Sequence, residues 1–141
     1  IIKKKTIFKT NFFGKSAKSK KISFSEMIFK SYYNQQSIKL PYNIFFNPVN
    51  FKTIIKVIKI IIKNKIYGIY NLGSNGIISK YNFAEVILRK KNLSKNYLIP
   101  YKSIYKKNKR PLNTAMNVKK LEKKIGFRLP YINQSIISGI N

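Results

Sequence analysis

Short apolar runs rich in Ile, Phe and Thr alternate along this chain with longer stretches of helical periodicity, joined by short linkers. That alternation is the tightest constraint on the fold, because strands separated by amphipathic helices build an α/β unit with its helices packed on a sheet. Residues 6–13, TIFKTNFF, have the β-branched and aromatic content of a strand, and Gly14 ends it. After a Lys- and Ser-rich loop, Ser23 and Glu26 form an S-x-x-E capping box. It predicts a helix to about Tyr33, with Phe24, Met27, Ile28 and Ser31 toward the core. Short strands are predicted at Ile38 to Leu40 and at Ile44 to Phe46, the second ended by Asn47-Pro48.

The clearest helix runs from Phe51 to Asn64. Lys52, Lys56, Lys59 and Lys63 form one charged stripe, and Ile54, Ile55, Ile58, Ile61 and Ile62 are assigned to the side facing the core. Ile66 to Leu72 reads as a strand, GSNG at 73–76 as a turn, and Ser79 as the cap of a helix reaching about Lys91. Leu98 to Ile104 is a last strand. A helix then opens at Asn117 as N-cap and closes at Gly126. No repeat is visible, and one α/β unit spanning 1–141 is the economical reading.

The chain has no Cys, His or Asp. Thiolate chemistry, histidine general-base catalysis and metal sites built on Cys or His are therefore excluded. Glu26, Glu85 and Glu122 are the only side-chain carboxylates, and each falls on a separate predicted helix, which argues against an acid/base dyad. The lack of Cys fits a reducing, cytoplasmic setting. Lysines cut every apolar run well short of the roughly 18 residues a membrane span needs. No segment reads as a signal peptide. The chain starts at Ile1 within an apolar and basic run, and is expected to be a piece of a longer protein.

The net charge of +27 invites a nucleic-acid reading, such as a small ribosome-associated protein. Against it, Lys, Ile and Asn are inflated together, the lysines spread over the whole chain, and arginine is scarce. A dedicated interface clusters its charge and uses arginine forks on bases and phosphates. Background drift in composition is the better account, with no specific nucleic-acid partner. Two further functional readings compete with plain structural ones. The Lys-striped helix resembles a membrane-surface helix, but flanking strands favour packing on a sheet and no membrane partner. The GSNG turn resembles a phosphate or RNA clamp, but it lacks a Gly-Lys-Ser/Thr ending, and Gly turns between strand and helix are common for backbone reasons.

The stretch RPLNTAMNVKKLEKKIGFRLP, 110–130, is the most specific in the chain. Arg110 is one of three arginines against twenty-seven lysines, and its planar fork suits two oxygens of a phosphate or carboxylate. With KTNFFGKS at 9–16, FFNPV at 45–49 and GIYNLGSNGIISKYNFAEVI at 68–87, it resembles the C-terminal part of the dTDP-4-dehydrorhamnose reductase family. That family belongs to the extended short-chain dehydrogenases/reductases, and the likeness covers nearly the whole chain.

The resemblance implies the C-terminal, substrate-binding portion of a Rossmann-like α/β fold, whose dinucleotide-binding half is missing here. The full enzyme would reduce the 4-keto group of a dTDP-4-dehydro sugar with NADPH or NADH held by that half, in rhamnose and polysaccharide synthesis. Other nucleotide-sugar epimerases and dehydratases share the layout. The family's Gly-rich cofactor turn and catalytic Tyr-x-x-x-Lys have no counterpart in the expected place, so this piece alone would not catalyse. The chance-level match Tyr105 to Lys109 sits elsewhere. By resemblance the substrate residues are Asn11 and Phe12 at a strand end, Asn47 and Pro48 at the cleft rim, and Arg110 on the pyrophosphate. Lys9 stands where the family often has Arg. Some relatives are magnesium-dependent homodimers. No acidic cluster supports magnesium here, and a homodimer is carried over only for the full-length enzyme.

Overall fold

A computed structural model describes residues 4–16, 21–104 and 111–140. The first strand is broken in two. β1 (Thr6–Thr10) runs parallel to β6 (Gly68–Leu72), in a register that sets Thr6 against Gly68 and Thr10 against Leu72. After Asn11 the chain changes partner, and β2 (Phe12–Phe13) runs parallel to β5 (Val49–Asn50). β3 (Ile38–Pro41) pairs in parallel with β8 (Leu98–Tyr101), and β4 (Phe45–Phe46) pairs antiparallel with β7 (Ile78–Ser79).

Local signals set most helix ends. α1 (Phe24–Tyr33) starts with the full capping box: the Ser23 hydroxyl accepts from Glu26 N, and the Glu26 carboxylate accepts from Ser23 N at 2.7 Å. Its buried residues are Ser25 and Ile28, whereas Met27 turns outward against expectation. α2 (Phe51–Lys63) is capped by Asn50, whose Oδ1 accepts from Thr53 N at 2.8 Å. α3 (Lys80–Lys90) is capped by Ser79 as its sequence predicts. α4 (Lys119–Ile125) starts one residue later than expected, with Val118 at the N-cap, and ends at left-handed Gly126, φ 76°. α5 (Ile132–Gly139) is a helix the hydrophobic pattern did not reveal.

Two apolar clusters result. One surrounds α3, whose Phe83, Ala84, Ile87 and Leu88 pack with Phe13, Ile28, Leu40, Leu98 and Ile136. The other lies between the β1–β6 pair, α2 and α4, with Val49, Val57, Tyr70, Leu72, Leu121 and Leu129. The β2–β5 pair joins them, since Phe13 belongs to the first cluster and Val49 to the second. Buried Asn50 reinforces the junction, because its amide donates to Ser135 O at 2.8 Å and tethers α5. α2 corrects the sequence reading: Val57 and Ile61 are its buried residues, while Ile55, Ile58 and Ile62 are exposed.

Candidate functional site: an asparagine-clamped cleft at the strand ends

The carboxyl ends of β1 and β6 meet the extended segment 112–117, and backbone bonds to β4 hold it there. Phe45 N donates to Leu112 O at 2.7 Å, and Thr114 N donates to Phe45 O at 2.9 Å. Two predicted site residues complete the attachment. Asn11 Nδ2 donates to Thr114 O at 3.2 Å. Asn47, only 2 % exposed, grips Met116 from both sides: its Nδ2 donates to Met116 O at 2.8 Å, and its Oδ1 accepts from Met116 N at 2.9 Å. The same Nδ2 donates to Ser74 O at 3.0 Å. Asn47 thus joins three distant segments with one amide. Both Nδ2 hydrogens and one Oδ1 lone pair are spent inside the protein, so these bonds hold the wall of the site in shape.

Pro48 is buried too, and its carbonyl accepts from Ser74 Oγ at 2.6 Å. Gly73 has a packing reason to be glycine: a Cβ there would lie 2.7 Å from Asn47 O and 2.9 Å from Asn47 Nδ2. Phe12 goes elsewhere. It is 58 % exposed, and its ring lies 5.2 Å from that of Phe51 in a tilted pair. Asn11, Asn47 and Pro48 therefore converge, whereas Phe12 presents a separate aromatic face. Arg110, Tyr105 and Lys109 lie outside the described residues.

Between the 73–76 turn and segment 113–119 is an open cleft of about 380 Å³, lined in part by Asn47, Ser74, Gly76, Asn113, Asn117 and Lys119. Its chemistry follows from which atoms are already used. Asn113 Oδ1 accepts from Ala115 N at 2.9 Å, and Asn117 Oδ1 accepts from Lys119 N at 3.0 Å. Among the described residues nothing accepts from either Nδ2, and Lys119 adds an ammonium. The cleft therefore suits an acceptor-rich ligand such as a phosphate, sugar or pyrimidine carbonyl. The sequence reading missed Asn113 and Lys119 and took Asn117 only for a cap. The alternation 113, 115, 117 along an extended segment was the available signal.

Among the described residues, the groups of the 73–76 turn and the glutamates are largely taken up by contacts within the chain. Ser74 N donates to Asn47 O and Asn75 N to Pro130 O, so these amides of the 73–76 turn are committed to the protein and do not cradle a phosphate. Among the described residues no three acidic side chains gather around a point. Glu26 and Glu85 stand apart on α1 and α3, and Glu122 Oε1 on α4 accepts from Asn75 Nδ2 at 2.6 Å and Leu129 N at 2.7 Å. No helix among the described residues is long and apolar enough to cross a membrane.

Solved structures share this architecture. dTDP-4-dehydrorhamnose reductase from Bacillus anthracis, in complex with NADP, superposes with a TM-score of 0.81 at 20% identity, covering 96% of this chain and 47% of that one. A dTDP-4-dehydrorhamnose reductase from Clostridium acetobutylicum gives 0.77 at 19% identity, covering 95% and 47%. dTDP-glucose 4,6-dehydratase from Bacillus anthracis, in complex with NAD, gives 0.67 at 14% identity, covering 95% and 42%. The fold is thus that of the extended short-chain dehydrogenases/reductases, and this chain spans about half the length of these neighbours. No curated protein matches the chain by sequence. The model of the RmlD substrate binding domain matches residues 3–140, and the chain belongs to that family.

Proposed function

We propose that this chain is the substrate-binding half of a nucleotide-sugar reductase of the dTDP-4-dehydrorhamnose type. The observation that carries the reading is the cleft itself: asparagine clamps fix segment 112–117 at the strand ends, and the polar groups left over are donors suited to a nucleotide sugar. Asn113, Asn117 and Lys119 hold the acceptor-rich part of the ligand. Asn11, Asn47 and Pro48 position them, and on the family resemblance Phe12 offers its exposed ring to a part of the ligand that reaches beyond the cleft. On the family resemblance, Arg110 grips the pyrophosphate with its fork.

A dinucleotide-binding half completes the enzyme, and the state of the sheet supports this. Lys5 O accepts from Gly68 N and Asn11 O from Val49 N, so odd-numbered residues of the first strand face its partners. The even-numbered backbone groups of Thr6, Phe8 and Thr10 face an edge that no described strand pairs. Ile7 and Ile69, cross-strand neighbours, stand exposed on the face away from α2. A parallel sheet is ordinarily buried on both faces. NADPH or NADH, bound by that half with the catalytic Tyr and Lys, supplies the hydride for the 4-keto carbon. We assign the enzyme to the cytoplasm. Dehydratases share the fold, but the family match and the closer superposition on the reductases favour the reductase.

The test is a titration of dTDP into the 141-residue chain, followed through the side-chain amide signals of Asn113 and Asn117. Those signals are expected to shift, and Asn117→Ala should weaken binding about tenfold, the loss of one good hydrogen bond to a charged group. Phe12→Ala should weaken a dTDP-sugar without unfolding the chain. Tight duplex binding that survives physiological salt, with no response to dTDP, would refute the reading in favour of a nucleic-acid partner.

A further inference from the structure

Asn75-Gly76 is the only Asn-Gly dipeptide in the chain. Such a pair is the most prone to lose its side-chain amide, because glycine has no side chain to keep its nitrogen away from the asparagine carboxamide. The fold requires the pair here. Gly76 stands at φ 83°, in the left-handed region. A Cβ on it would meet nothing closer than Ile132 Cγ2 at 3.6 Å, so the backbone angle and not crowding calls for glycine. Gly76 N donates to nothing among the described residues, which leaves it available as a nucleophile.

What restrains the reaction is the grip on the carboxamide. Both Nδ2 hydrogens of Asn75 are engaged, one on Glu122 Oε1 at 2.6 Å and one on Leu129 O at 2.8 Å. The backbone is held as well: Asn75 N donates to Pro130 O, and Asn75 O accepts from Ile132 N, each at 2.9 Å. Ring closure needs the carboxamide carbon to turn onto Gly76 N and its nitrogen to leave, and both Nδ2 bonds oppose this. Asn75 thereby ties the 73–76 turn to α4 and to the start of α5, and with Gly76 it lines the cleft.

We propose that Asn75 is a deamidation site which the fold keeps closed and unfolding opens, and that refolding cannot undo the change. In the opened chain Gly76 N bonds to Asn75 Cγ, the Cγ–Nδ2 bond breaks, and the proton from Gly76 N departs with the nitrogen as ammonia. Water then opens the cyclic imide at one carbonyl or the other, leaving aspartate or isoaspartate. Either product loses both donations and sets a carboxylate against the Glu122 carboxylate and Leu129 O. Isoaspartate also inserts a methylene into the backbone, between the N–H that Pro130 holds and the carbonyl that Ile132 holds. A chain modified while open therefore does not rebuild this wall of the cleft.

The test incubates the wild-type chain in mildly alkaline buffer, folded and in guanidinium chloride. Peptide mass spectrometry reads the amide-to-acid change at Asn75, and ammonia release is followed in parallel. The folded chain is expected to react at least about tenfold more slowly, since two bonds must break first. Glu122→Ala removes one acceptor, so it should speed the reaction in buffer and leave the rate in guanidinium unchanged. A circular-dichroism spectrum verifies that this variant is folded. Asn75→Asp, which mimics the product, should lower the denaturation midpoint. Pairing it with Glu122→Gln should restore part of that loss, because the repelling charge is gone. Equal rates for the folded and unfolded wild type overturn the proposal. So does an Asn75→Asp chain as stable as the wild type, or a loss that Glu122→Gln does not lessen. None of these readouts uses a nucleotide, so the outcome is independent of the function proposed above.

Discussion

Replacing Asn47 by alanine removes three hydrogen bonds at once. The side chain is 2 % exposed and serves Met116 N, Met116 O and Ser74 O at 2.8 to 3.0 Å. At about 1 kcal/mol net per bond the loss is roughly 3 kcal/mol, with more where a backbone group is left buried and unpaired. For a domain whose whole stability is of order 5–15 kcal/mol this is severe, and it corresponds to a fall in melting temperature of about 10 °C. Asn47→Asp is the sharper probe. Aspartate keeps the acceptor for Met116 N but loses both donations, and it sets a buried carboxylate against two carbonyl oxygens. Asp should therefore be at least as damaging as Ala. Urea and thermal unfolding of the three proteins give the ranking, and hydrogen exchange at the Met116 amide reports the clamp directly. A loss below about 1 kcal/mol for Ala, the range of an ordinary surface change, would refute the argument. So would an Asp variant more stable than Ala.

Gly73→Ala must push a Cβ into Asn47, 2.7 Å from its carbonyl oxygen, and should lose about 1–3 kcal/mol in urea titration, with dTDP affinity falling in parallel. Glu122→Ala strips the shared acceptor from Asn75 Nδ2 and Leu129 N, and should lower stability by about 2 kcal/mol while leaving the Asn47 clamp intact by hydrogen exchange. Backbone donation from Ser23, with help from Ser16, holds the Glu26 carboxyl below its ordinary pKa of 4.5. A depressed folded-state value means the stabilisation is full above that ordinary value and fades as pH falls through the lowered one. The start of α1 should therefore loosen on acidification below about pH 4.5, and in Glu26→Gln that acid limb should be absent from the amide shifts of residues 23–26.

The features legible in sequence are those whose physics is local. The Ser23–Glu26 box, the Ser79 cap and the Gly126 stop each need only neighbours within one helical turn, and all stand where the residues put them. Periodicity gave the direction of the apolar side of α2 but not how much of it the chain covers, so Ile55, Ile58 and Ile62 were assigned to the core and lie outside it. α5 lacks a strong start signal, since Tyr131 at its N-cap is no usual capping residue, and it escaped notice. The site was half legible. Resemblance brought forward Asn11 and Asn47, but their work is done across 103 and 69 residues of sequence, a separation no local pattern encodes. For the same reason the donor character of Asn113 and Asn117 emerged only once their oxygens were seen to be engaged.

The pairing of β1 with β6 has a kinetic consequence. Thr6 and Gly68 are partners although some sixty residues separate them, so in the isolated chain β1 waits for four further strands and two helices before its ladder can close. Closing so long a loop before any reward arrives slows folding, as it does for other non-local parallel pairings. During refolding of the isolated chain this proline-free strand lies open along both edges, the condition under which unfolded chains find each other. Refolding of the isolated chain should accordingly be limited by concentration, with yield falling as protein rises.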